Sequence, residues 1–179
     1  MKKKPVFILL MLVVCTSLIF SATFEEEKTK TADGEDFLFP TDGIQNGGAI
    51  FALTMGKDRD NGEVQQKEVI AWQQYFSENP SAVGRVPVYH FSVLSGVPFF
   101  VKGTIRKALY DYYAEVVDPS RVGVLFVSKT EKFAEQADLP FDDESVLVVI
   151  ATDGTIAGYV RGAVSPAKVE QLQRVIARL

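Results

Sequence analysis

The chain reads as an α/β protein with a central mixed sheet of about five strands, flanked by helices and closed by a C-terminal β-hairpin and helix. Three observations predict this. Short apolar runs such as Ala49–Met55 and Val146–Ala151 have the length and composition of strands buried on both faces. Longer segments between them repeat their apolar residues at helical spacing. Near the C-terminus, Asp153-Gly154 separates two strand-like runs, a tight-hairpin signal that makes one pair antiparallel.

The elements follow in order. Residues 49–55 are the first core strand, ending at Gly56. Val69, Trp72 and Phe76 recur at i, i+3 and i+7, with Ile70 and Tyr75 alongside, which predicts a helix over 63–78 that Asn79-Pro80 ends. The β-branched and aromatic run 86–94 is the second strand. Val101, Ile105, Ala108, Leu109 and Tyr112 share one face of a helix over 98–114. Residues 121–127 form a third strand, and Ser128-Lys129-Thr130-Glu131 fits a capping box opening a short helix to Ala137. Residues 146–151 and 155–161 are the hairpin strands. Ser165 caps a last helix with Pro166 at its first position, and Val169, Leu172, Ile176 and Leu179 are its buried stripe.

Length and composition bound the function. A chain of 179 residues, 47% apolar and 23% charged, holds one ordinary domain and is not disordered. With 13 Phe, 6 Tyr and 1 Trp it fills a core without disulfide or metal staples. One Cys and one His exclude a disulfide framework, a CxxC couple, a zinc finger and any site needing two His ligands. A net charge of −4 argues against nucleic acid as partner.

Lys2, Lys3 and Lys4 precede an uncharged apolar run from Pro5 to Ala22, the pattern of an export signal. Three forms stay open. A cleaved signal peptide fits, although Phe20 stands where a small residue is expected at −3. An uncleaved anchor fits because the run is long enough to span a membrane. A lipoprotein signal at Cys15 is the third, against which Val14 is not the small residue wanted before the Cys. Each puts the body outside the cytoplasm, in the periplasm or on the outer face of the cytoplasmic membrane. Membrane contact is expected only through residues 5–22, and only if they stay uncleaved. Without the leader lysines, 16 Lys and Arg face 23 Asp and Glu, a net −7. The division is thus 1–22 leader, 23–35 polar flexible tether, and 36–179 folded domain.

Several side chains invite a chemical reading. Lys57-Asp58-Arg59-Asp60-Asn61-Gly62 suggests calcium, but Gly62 occupies the third ligand position and Val69 stands where a Glu is required. The loop therefore reads as a solvated, charged turn; because it opens a helix and carries Lys57 and Arg59, a weak anion or carboxylate site is the other option there. His90 alternates with apolar residues in a strand and reads as a structural, hydrogen-bonded core histidine. Asp142-Asp143-Glu144 reads as a solvated acidic cluster. The aromatic helix predicts Phe100, Leu109 and Tyr112 in the core and leaves Phe99 and Tyr113 exposed as a partner surface. No cofactor and no metal site is expected.

Two stretches carry a family resemblance. The first runs Asp143-Glu144-Ser145-Val146-Leu147-Val148-Val149-Ile150, Asp153-Gly154-Thr155-Ile156 and Gly162-Ala163-Val164-Ser165-Pro166. The second is Ser95-Gly96-Val97-Pro98-Phe99-Phe100-Val101-Lys102. Together with the early βαβ and closing ββα units they resemble the peroxiredoxin-like branch of the thioredoxin superfamily, and the YtfJ-type periplasmic proteins in particular. The resemblance covers Ser95 to the C-terminus, and is one of topology alone over 36–94. It implies a thioredoxin-like fold and a reactive thiolate just after the first core strand. That place is Gly56 to Gly62, and it has no Cys. The cis-proline that the resemblance implies before the penultimate strand is replaced by Ser145. Thiol–disulfide exchange needs a thiolate, so the resemblance leads to a redox-inactive module. The reading is a binding, assembly or chaperone-type domain of the cell envelope with a protein partner, using Lys57, Asp58, Arg59, Asp60, Phe99 and Tyr113. The alternatives are a non-thiol enzyme using the 57–62 loop and His90, and an accessory to a thiol-redox partner.

Overall fold

Residues 22–179 are described by a computed structural model; residues 1–21, read as an export signal and containing Cys15, lie outside the described residues. In chain order the elements are β1 (Glu27–Lys30), β2 (Asp36–Phe39), α1 (Thr41–Ile44), β3 (Ala49–Thr54), α2 (Arg59–Glu78), β4 (Val88–Ser95), α3 (Lys102–Tyr113), β5 (Val122–Val127), α4 (Thr130–Gln136), β6 (Val146–Ile150), β7 (Ile156–Arg161) and α5 (Pro166–Ile176). The main sheet has five strands in the order β5-β4-β3-β6-β7. Strands β3, β4 and β5 are mutually parallel, β6 is antiparallel to β3, and β7 is antiparallel to β6. The Asp153-Gly154 hairpin forms as expected, closed by Ala151 N donating to Thr155 O at 2.9 Å.

The sheet is covered on both faces, which is why β3 and β6 bury every side chain. Ile50 and Ala52 face a helical layer built from Val69 and Trp72 of α2 and Leu172 of α5. Phe51 and Leu53 face the opposite way, onto Phe39, Phe91 and Phe133. Trp72, fully buried, donates its indole N–H to Gly162 O at 2.9 Å and ties α2 to the end of β7. Gly123 packs flat on the Phe91 ring, where a Cβ would collide.

Four expectations change. Residues 23–35, read as a flexible tether, contain β1, which pairs with β2, and Phe24, which is 7% exposed against Phe39 and Phe133. The cause is the open edge of β5. Thr29 Oγ1 donates to Val124 O at 2.8 Å and Ala32 N to Val122 O at 3.0 Å, so a polar segment covers carbonyls that would otherwise stay bare. Helix α2 starts at Arg59 rather than Glu63, because Asp58 Oδ1 accepts the Asn61 N–H at 2.8 Å as its N-cap. The capping box of α4 does not form; Thr130 Oγ1 donates to Ser95 Oγ at 3.1 Å instead. In the α3 region, Phe100 is 84% and Tyr112 43% exposed while Tyr113 is 1% exposed, the reverse of the expected arrangement. Adjacent helical residues point about 100° apart, so a small error in the buried face exchanges Tyr112 and Tyr113.

Candidate functional site

Strands β3 and β4 end side by side, with Thr54 opposite Ser92. The chain leaves β3 through Met55-Gly56-Lys57 and turns at once into α2. The turn is tight enough that a Cβ on Gly56 would lie 2.6 Å from Gly62 Cα. Two amides hold it. Gln65, fully buried, accepts the Met55 N–H at 2.6 Å, and its Nε2 donates to Asn61 Oδ1 at 3.1 Å and Asp142 O at 3.3 Å. Asn61 Oδ1 accepts the Lys57 N–H at 3.1 Å, and Nδ2 donates to Asp143 O at 2.9 Å. The head of α2 is thereby fastened to the segment before β6.

Between the first turns of α2 and the flank of α3 lies an open cleft of about 590 Å³, within the usual size of a ligand site. Ile105, Leu109 and Tyr112 form its apolar wall. This is the face of α3 expected to pack in the core; it looks onto the cleft, which is why Tyr112 stays exposed. Thr54, Ser92, Ser95 and Thr130 supply hydroxyls on the other side. Thr54 Oγ1 donates to Ser92 Oγ at 3.0 Å. The site therefore joins an apolar wall to a row of paired hydroxyls, with no sulfur side chain among its lining residues.

Its charges cancel. Lys57 pairs with Asp143 at 3.1 Å and Arg59 with Glu63 at 3.0 Å, while Asp58 is committed to capping α2. An anion at the helix start would meet the Asp58 carboxylate and two cations already engaged, so the anion reading of this loop loses its basis. The acidic cluster is ion-paired rather than merely solvated: Arg161 pairs with Asp142 and with Glu144. Glu68 of α2 accepts the Ser145 N–H at 2.9 Å, and Ser145 itself is fully buried.

The structure brings Lys57, Asp58 and Arg59 together on the cleft and leaves Asp60, Phe99, Tyr113 and His90 out of its lining. Phe99 is 89% exposed on the turn before α3. Tyr113, expected on the surface, points inward with its ring 5.8 Å from that of His90, and burial pushes its phenol pKa up. Its hydroxyl sits beside Ser92 without a well-formed hydrogen bond. His90 is fully buried, and its Nε2–H donates to Gln73 Oε1 at 3.1 Å. Burial, then the charge of Arg121, holds its pKa down to about 3. It is buried and hydrogen-bonded, as its alternation with apolar neighbours suggests. Sequence reasoning missed Asn61 and Gln65, whose Asn-x-x-x-Gln spacing on one face of a helix start was the available signal, and the hydroxyl row, which is assembled from three elements and has no local signature.

No family model matches the chain, and no curated protein matches it. Solved structures do. A protein of Aquifex aeolicus VF5 aligns with TM-score 0.57 and 13% identity over 89% of this chain and 99% of its own. Copper-bound ScoI of Arabidopsis thaliana aligns with TM-score 0.56 and 12% identity, covering 88% and 100% of the two chains. Reduced 2-Cys peroxiredoxin of Plasmodium vivax aligns with TM-score 0.51 and 14% identity, covering 88% and 78%. The fold is thioredoxin-like. It has the form shared by Sco proteins and peroxiredoxins, with the head of α2 following the central strand. The copper belongs to the plant protein. Among the described residues no three His, Cys, Asp or Glu side chains are grouped to hold a metal, and His90 is sealed in the core, so the described donors do not fit such a centre.

Proposed function

We propose that the chain is an exported thioredoxin-like domain that performs no thiol chemistry and serves the cell envelope as a binding, assembly or chaperone-type module, taking a protein partner in the cleft at the head of α2. One observation carries the reading: where the resemblance implies a thiolate, the turn is kept rigid by Gln65 and Asn61 and opens on a cleft of about 590 Å³, but offers hydroxyls and an apolar wall. The basic leader followed by the apolar run supports export. The pairwise cancellation of charge suits an uncharged, apolar segment of the partner, with Tyr112 and Leu109 as its contact.

Photo-crosslinking from position 112 in the full chain, expressed in its host, tests this. An envelope protein crosslinked from position 112, not from Glu170 on the far helix, and lost on Ala108→Glu is the expected result. Ala108 is an exposed helical position on the cleft, so the substitution fills the site without touching the core. Crosslinks indifferent to Ala108→Glu, or a chain retained in the cytoplasm, would contradict the reading.

A further inference from the structure

A second pocket, of about 270 Å³, lies at the opposite end of the sheet, where β4 and β5 begin. The chain has seven arginines, all among the described residues. Five have a partner in the protein. Arg59 pairs with Glu63, Arg161 with Asp142 and Glu144, and Arg174 with Glu170. Arg106 lies over the Phe126 ring, and Arg178 donates to Ala157 O. The remaining two, Arg85 and Arg121, line this one pocket.

No carboxylate lines it with them. Asp118 feels the charge of Arg121 but makes no ion pair with it, its Oδ1 being held by the N–H and hydroxyl of Ser120 at 3.0 and 2.8 Å. Two guanidiniums without an ion pair thus line one pocket in a protein whose net charge is negative. The loop that carries Arg85 is set by its own hydrogen bonds, Gly84 N to Pro80 O and Val86 N to Val83 O, both at 3.1 Å. Those two backbone donors are used up, and Gln73 and Ser77 are engaged with each other, Ser77 Oγ donating to Gln73 O at 3.0 Å, so the guanidiniums are the pocket's charged donors. A planar fork of N–H groups matches phosphate and carboxylate oxygens, and two of them favour a doubly charged group. Phe76, Val83 and Val88 give the pocket apolar walls that admit an organic substituent.

We propose that this pocket binds a phosphate-class oxyanion through Arg85 and Arg121. The phosphate has two possible sources, a soluble phosphate compound or an anionic lipid headgroup. The second has a geometric basis. Ala22, the last residue of the apolar run, accepts from Ile156 N at 3.2 Å, at the same end of the sheet as this pocket and the opposite end from the cleft.

Nuclear magnetic resonance of the full chain, titrated with inorganic phosphate, tests the site through backbone and arginine side-chain signals. Saturable shifts at residues 84–86 and 121 are expected. Arg85→Gln or Arg121→Gln should weaken binding at least about tenfold, or about 1.4 kcal/mol. Arg174→Gln should leave it unchanged. Parallel spectra in nanodiscs of phosphatidylglycerol and of phosphatidylcholine separate the sources. Shifts of the same signals in the anionic discs beyond those with phosphate assign a headgroup, and shifts with phosphate alone assign a soluble compound. No shift in either arm, or shifts that survive both substitutions together, would overturn the proposal.

Discussion

Gln65 accepts the backbone N–H of Met55 at 2.6 Å, and both residues are buried. A side chain nearly two turns into α2 thus closes the first backbone donor after the central strand and sets where the α2 head begins. Replacing it with leucine keeps the volume and removes the acceptor. A buried unpaired N–H costs about 1–3 kcal/mol. Gln65→Leu should lower stability to urea by about that amount, since it also strips the donor from Asn61 Oδ1 and Asp142 O. A loss below about 0.5 kcal/mol would show that shape rather than the hydrogen bond matters here.

His90 gives the folded chain a pH dependence. Its pKa is held down to about 3 in the fold, against an ordinary 6.5. Between those values the unfolded chain binds a proton that the folded chain refuses. Stability therefore falls as pH drops from about 6.5 towards 3, by up to about 1.4 kcal/mol per pH unit, and has no His90 slope above that window. Chemical unfolding at pH 7, 6 and 5 measures it. His90→Gln should flatten the slope between pH 6 and 5; an unchanged slope would mean that another group is responsible.

Two glycines should respond with opposite sign to the same substitution. A Cβ at Gly123 meets the Phe91 ring, in a core with no space to yield. Gly123→Ala should destabilise by about 1–3 kcal/mol. At Gly103, inside α3, a Cβ meets nothing within 4 Å. Gly103→Ala should stabilise by about 0.5–1 kcal/mol, since a flexible residue is removed from a helix. Thermal unfolding of both variants checks the pair.

The core of the sheet was legible because its signals are local. Ala49–Thr54 and Val146–Ile150 are continuous apolar runs, and Asp153-Gly154 marks its hairpin within four residues. What was misread depends on distant groups. Glu27–Lys30 is as polar as a linker, and becomes a strand because β2 pairs with it and β5 needs its edge covered. The head of α2 looks like a loop for its Asp, Asn and Gly residues, yet Asp58 and Asn61 are the cap and the brace. The cleft had no linear trace at all. Thr54, Ser92 and Leu109 meet only once three elements are packed, and an apolar helical stripe looks the same whether it faces a core or an opening.

Sulfur chemistry offers the most direct test that the α2 head works without a thiolate. The one cysteine is Cys15 in the apolar run 5–22, and the sulfur of Met55 is a buried thioether that cannot ionise. The measurement is insulin-disulfide reduction by dithiothreitol with the full chain present, in wild-type and Cys15→Ser forms. Both forms should leave the rate at that of dithiothreitol alone. Acceleration that persists in Cys15→Ser and disappears on substituting Asp58 or His90 would contradict the account.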